Sequence, residues 1–222
     1  MQILYHHQLC PLSRQIRIFL KEFDTDFTLR REDYWLRRKE FLHISPSGCI
    51  PALEIQQNIS IVGSHAIIEY MNETYDNFYF MQGQPIEKAK VREYTGWFND
   101  KFYREVSKIL VDEKMIRLLM QLGEPRTSFI HVAKANLQQH LKFLTSRLVQ
   151  NSFIVSEQIS CADIAAASHI SIVDYFGEIN WDNWEVIKQW YAIIKSRPSF
   201  QLILLDRIPG FNPPKWYEEL DF

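Results

Sequence analysis

Residues 10–14 read CPLSR, between LYHHQL and QIRIFL. A thiol, a hydroxyl and a guanidinium thus fall within five residues, where a short apolar strand gives way to a helical pattern. The free N–H groups at a helix N-terminus and a neighbouring cation both favour thiolate, the nucleophilic form of cysteine. Cys10 is therefore a candidate nucleophile assisted by Arg14, and Ser13 is a second candidate from the same turn. The competing reading is a partly buried, inert thiol beside a helix-capping serine. The other cysteines are Cys49 and Cys161. Three widely spaced cysteines fit neither a disulfide framework nor a zinc site, and they suit a reducing compartment. His6 and His7 are neighbours on a strand and point to opposite faces, so they cannot share one ion. The seven histidines show no metal-ligand spacing, and no metal is expected.

The composition narrows the setting. The chain has 222 residues, 46% hydrophobic and 23% charged, with 25 Lys plus Arg against 27 Asp plus Glu. That balance offers no basic field for nucleic acid and no acidic tract for disorder. No apolar run reaches the roughly 18 residues of a membrane span. The start, MQILYHHQLCPLSR, lacks the charged and apolar regions of a signal peptide. The expected location is cytoplasmic.

The elements that must carry these residues alternate at first. ILYH and FTLRR read as strands, SRQIRIFLKEF as a helix with Ile16, Phe19, Leu20 and Phe23 on one face, and residues 35–42 as a short helix. PALEI and SIVG form a hairpin around QQN, and SHAIIEYMNETY is a helix with Ser64 as N-cap. The order βαβαββα fills residues 1–76. Residues 77–84 read as a linker. From Pro85 the pattern is helical: one helix to about residue 110, a GEP break at 123–125, and an amphipathic helix through Ile130, Ala133, Leu137, Leu141, Leu144 and Leu148. ISCADIAAASHISIVDYF opens on a capping box, Ser160 with Asp163, flanked by Ile159 and Ile164 as a hydrophobic staple. A last helix covers about 182–196, and a short one closes the 85–205 domain through Leu202, Leu204 and Leu205. The expected class is α/β plus all-α.

This layout, with P-x-S-R at 11–14, S-P-S-G-C-I-P at 45–51, G-S-H-A-I at 63–67 and S-C-A-D at 160–163, resembles the glutathione transferase superfamily over nearly the whole chain. The resemblance implies a thioredoxin-like N-terminal domain, a helical C-terminal domain and a cis bond at Ile50-Pro51. It also implies glutathione contacts at Ile50, Pro51 and Ser64. Two charged positions common in the superfamily are occupied here by Gly63 and Cys49. Losing both charge-assisted contacts would cost about 1.5–3 kcal/mol each, so glutathione binding would be weak and no cofactor is required. Cys10 or Ser13 would be the catalytic group of a glutathione transferase or thiol transferase.

Within the superfamily, LYHHQLCPLSRQIRI, the Trp35 stretch YWLRRKEFL and the ending DRIPGFNPPKWYEELDF are most similar to the FtsZ-localised, transferase-like division proteins of alphaproteobacteria. That likeness implies a homodimer that binds FtsZ filaments without ordinary transferase activity. Trp35 beside Arg38 could anchor a partner, since Trp and Arg dominate interface energies, or could cap the core beside a solvated charged face. In the tail, residues 206–222, PGFNPP enforces an extended path. Trp216, Tyr217, Asp221 and Phe222 then combine large apolar groups with acid. They could pack on the chain's own surface, meet a partner, or do both. Tyr70, Tyr75, Phe78, Tyr79 and Phe80 offer aromatic surface to a dimer.

Overall fold

A computed structural model describes residues 2–221. The chain divides into two compact units, one ending at Phe78 and the other beginning at Tyr79.

The first unit is a four-stranded sheet in the order β2-β1-β3-β4. Strand β1 (Gln2–His6) runs parallel to β2 (Phe27–Arg31), with Leu4 opposite Leu29, and antiparallel to β3 (Ala52–Gln56), with Leu4 opposite Leu53. Strand β4 (Ile59–Val62) completes the hairpin with β3 through a turn in which Asn58 has φ 66°. Helix α1 starts at Pro11, two residues before the apolar periodicity suggests, because proline suits a first helical turn that needs no N–H donor. It ends at Glu22 and buries Ile16, Ile18, Phe19 and Leu20. Helix α2 is Lys39–Ile44, shorter and later than the expected 35–42, and α3 is Ser64–Thr74. The Ile50-Pro51 bond is cis. His6 and His7 are both buried within this unit.

The stretch expected to link the units is partly packed. Phe78 stacks on Phe23 with centroids 5.2 Å apart, and Phe80 is wholly buried in a 3₁₀ turn, Tyr79–Met81. Neither supplies the aromatic surface expected of it; each ring completes the core of its own unit.

The second unit opens with α4, a continuous helical rod over residues 85–119, part of it wound with the wider π spacing at Trp97–Ser107 and Asp112–Ile116. It outruns the expected end near 110 because Leu110, Val111, Met115 and Ile116 prolong the buried stripe. Gln121 and Gly123, at φ 55° and 89°, then turn the chain. Helix α5 (Thr127–Leu148) buries the expected Ala133, Leu137, Leu141, Leu144 and Leu148, together with His140. Helix α7 is Glu185–Lys195 and α8 is Pro198–Leu204. The buried face of α8 is Phe200, Ile203 and Leu204, whereas Leu202 and Leu205 point outward, so two of the three expected closing residues are exposed.

Helix α6 (Cys161–Tyr175) is the axis of this unit, since every one of its residues is buried. A helix buried on every side has no water for its end groups or its polar side chains, which then need partners from the protein. At the N-terminus Ser160 accepts the Asp163 N–H and the Asp163 side chain reaches back to the N-cap. Its carboxylate accepts from the Ser160 N–H at 2.9 Å, the Ser160 hydroxyl at 2.8 Å, the Ile154 N–H at 2.9 Å and the Trp190 indole at 3.1 Å. The capping box is closed in both directions. Further along, His169 Nδ1 meets the Ser107 hydroxyl at 2.8 Å and Nε2 meets Asn99 Oδ1 at 3.3 Å, which ties α6 to α4.

Replacing Asp163 with Ala strands buried donors from three elements, and its expected cost is roughly 3–5 kcal/mol in denaturant unfolding of the second unit. A loss below about 1 kcal/mol would mean that the box is dispensable. Burial also lowers the histidines, His6 and His169 to about 3 and His7 to about 4. Their stabilising contribution is present above the unfolded value near 6.5 and is lost as pH falls. At pH 5.5 each costs roughly 1.4 kcal/mol. Asp163, raised by burial to about 6, works in the opposite sense: its contribution is present at low pH and lost as pH rises through that value. Its gain on acidification from pH 7.5 to 5.5 is only about 0.8 kcal/mol. Urea midpoints are therefore expected to fall between pH 7.5 and 5.5, and constant or rising midpoints would contradict the buried, neutral histidines.

Candidate functional site

Cys10 is the N-cap of α1, as its position suggests, and its Sγ accepts the Ser13 N–H at 3.4 Å. The sulfur is nevertheless part of an apolar cluster with Tyr5, Phe41, Ile50 and Ala52. The fold thus brings Cys10 and Ile50 together, and the Gly63 N–H donates to the Pro51 carbonyl at 2.9 Å, which places the Ser64 turn beside the cis bond. Burial pushes the Cys10 thiol up. The Ser13 hydroxyl, the Ser13 and Leu12 N–H groups and the Arg14 charge pull the other way without overcoming it. The depressed thiol expected of a nucleophile is therefore absent. Ser13 and Arg14 are themselves wholly buried, and Arg14 Nε donates to the Gln8 carbonyl at 2.7 Å. Ser64 is not the N-cap of α3: that position is Gly63, at φ 93°, a conformation in which side chains are rare. Cys49 is exposed, and none of the three cysteines is in a disulfide. Among the described residues no His, Cys, Asp and Glu cluster suits a metal ion.

The turn after β2 differs from the sequence expectation. Trp35 lies in a 3₁₀ turn, Tyr34–Leu36, ahead of α2, because Arg37 takes the left-handed conformation, φ 47°, and breaks the helix. Trp35 is half-buried, edge-on to His7 at 5.2 Å and to Tyr34 at 5.2 Å. Arg38 holds the buried Glu32 through two hydrogen bonds, Nε to Oε1 at 3.2 Å and Nη2 to Oε2 at 2.5 Å. Bidentate pairs of this kind fix geometry as well as charge. Arg38 thus secures the Trp35 turn to the end of β2 while its own side chain stays 46% exposed.

The tail folds back on the second unit. The Tyr175 hydroxyl, at the end of α6, donates to the Phe211 carbonyl at 2.5 Å and accepts the Ile208 N–H at 3.3 Å. The neighbouring Asp174 accepts the Trp181 indole at 2.9 Å and the Trp216 indole at 3.3 Å. Tyr217 is wholly buried, edge-on to Tyr175 at 5.2 Å, so it belongs to the core and presents nothing outward. Trp216 remains 41% exposed and Asp221 is exposed. Phe222 lies outside the described residues. Arg207 pairs with Glu218, and Lys195 donates to the Trp216 and Glu219 carbonyls. Sequence reasoning did not single out Glu32, Asp174, Tyr175 or Lys195. The aromatic-rich tail signalled that something must hold it, but a lysine in a last helical turn reads as an ordinary dipole partner.

These two units, the cis bond and the capping box define a transferase fold. The glutathione S-transferase N-terminal domain family matches residues 9–74 and the C-terminal domain family matches residues 107–198. The chain belongs to the glutathione S-transferase family. Among individual relatives, it is 37% identical over 222 residues to FtsZ-localized protein A of Caulobacter vibrioides, covering 99% of this chain and 97% of that one. A crystal structure of a glutathione S-transferase from Rhodospirillum rubrum superposes with a TM-score of 0.96 at 36% identity, and both chains are covered in full. FzlA from C. crescentus superposes at 0.95 with 36% identity, over 100% of this chain and 99% of that one. The family domains end at residue 198, whereas these likenesses run on through the tail.

Peptide mapping after iodoacetamide treatment of the native chain is expected to show Cys49 alkylated first. Cys10 should react at least tenfold more slowly at pH 7.5, and Cys161, wholly buried, should react only on unfolding. Rapid modification of Cys10 at neutral pH would restore it as a nucleophile.

Proposed function

We propose that this chain is a cytoplasmic cell-division protein that binds FtsZ filaments as a homodimer, with no ordinary transferase activity. The observation that carries the reading is the similarity to FtsZ-localized protein A across the whole chain, tail included. Two features of the site support it. The thiol at the start of α1 is buried and raised, and the two positions that commonly carry charge for glutathione are Gly63 and Cys49, so no cofactor is required and glutathione binds weakly at best. The partner-facing groups are Trp35 and Arg38 in the first unit, and Trp216 and Asp221 in the tail. A two-fold dimer doubles each of these surfaces and gains avidity on a repeating polymer.

Tyr217 is a core residue, so a deletion from residue 212 would damage the fold as well as the surface. A chain ending at Glu219 keeps Tyr217 and the carbonyls that Lys195 holds, and removes Leu220, Asp221 and Phe222. The full chain is expected to pellet with GTP-polymerised FtsZ, and the shortened chain to pellet at least fivefold less at the same concentration, with an unchanged melting temperature. Failure of the full chain to pellet, with millimolar glutathione turned over through Cys10 or Ser13, would favour a transferase instead.

A further inference from the structure

The tail meets the second unit at a pair of buried, opposite charges. Asp174, 1% exposed, stands one residue before the end of α6, and Lys195, wholly buried, is the last residue of α7. They grip the same short 3₁₀ turn, Lys215–Tyr217, from two directions. Asp174 takes the side chain of Trp216 by its indole N–H, and Lys195 takes the backbone by the carbonyls of Trp216 and Glu219. Each contact alone would leave a freedom. The indole bond alone allows the backbone to peel away, and the carbonyl bonds alone allow the indole to rotate. Together they set the position of the Trp216 backbone and the face that its ring turns outward.

The chemistry of Lys195 is unusual for a mere helix terminus. A lysine in a last turn normally reaches solvent, where its ammonium remains hydrated. Here the ammonium is withdrawn from water, lies 5.6 Å from the centre of the Tyr191 ring, and is compensated by Asp174 and by tail carbonyls. With the tail in place the ammonium is shut off from water and relies on Asp174 and the Trp216 and Glu219 carbonyls, so the carbonyls are matched to a buried charge rather than to a neutral donor. These charge-assisted bonds hold the tail in addition to the area its aromatic rings bury.

We infer that Lys195 and Asp174 form a clasp whose role is to hold the 215–219 turn in one register, with the Trp216 ring directed outward as a preformed contact for the FtsZ filament. Lys195 is a positioning residue, and the part of the inference that concerns the partner rests on the filament-binding reading above.

The test is hydrogen–deuterium exchange of the full chain, wild type against Lys195→Met and Lys195→Arg, paired with co-sedimentation on GTP-polymerised FtsZ. Lys195→Met is expected to speed exchange of peptides covering 215–221 at least tenfold, while peptides from the sheet and from α5 exchange as in wild type. Filament binding should fall at least fivefold, and Lys195→Arg should recover part of both. Unchanged exchange at 215–221 would overturn the clasp, and lost protection with undiminished filament binding would overturn its positioning role. General speeding of exchange across α6 and α7 would show Lys195 to be only a core support, and would also overturn it. Trp216→Phe, which removes the indole N–H that Asp174 accepts along with part of the ring, is expected to speed exchange at 215–221 as well and serves if Lys195→Met does not fold. The exchange result decides the clasp even where the wild-type chain does not pellet, an outcome that would sink the filament reading separately.

Discussion

Burial of α6 on all sides is the constraint to which the second unit answers. A helix without a solvent face cannot leave its polar side chains to water, so those near each end are met by groups from elsewhere in the unit. At the N-terminus Asp163 gathers four donors and fixes the 154–160 loop and Trp190 around itself. At the C-terminus Asp174 and Tyr175 gather Trp181, Trp216, Ile208 and Phe211. The segment that lies beyond the family domains is thereby joined to the same helix that organises them. The tail is an extension of the core, and its outward face is set from inside.

The first unit shows how one local motif yields opposite chemistry in different surroundings. A helix N-terminus favours an adjacent negative charge by about 0.3–1 kcal/mol, rising to about 2 in partly buried sites. Removing a charge from water costs more than that unless it is fully compensated. Cys10 has the N-terminal position but sits among Tyr5, Phe41, Ile50 and Ala52, so burial wins and the thiol stays protonated. The same balance explains His6 and His7, which are neutral packing residues. It leaves the fold free to serve as a scaffold, as a fold by itself fixes no activity.

Much of this architecture was legible in the chain. The strands, the capping box at Ser160 and Asp163 and the stripe on α5 follow from patterns with a local physical cause, and the cis bond follows from the family resemblance. The misreadings share another cause. Residues 35–42 have helical composition, but Arg37 adopts a left-handed conformation with its guanidinium lying over Gly48, a contact between segments that periodicity cannot register. Ser64 looks like a cap because serine is a good one, yet the turn after β4 requires positive φ and so gives the position to Gly63. Tyr217 could be read as packing inward or as meeting a partner, and only the placement of Tyr175 shows that it is core. The clasp residues were invisible for the same reason: a lysine and an aspartate on different helices become a site only when the tail lies between them.

The most direct measurement is hydrogen–deuterium exchange of the wild-type chain with and without GTP-polymerised FtsZ. The account predicts slower exchange in the presence of filaments at residues 214–221 and 33–40, with α6 unchanged because it is already protected. Filament-induced protection confined to other surfaces, or no protection anywhere, would contradict it.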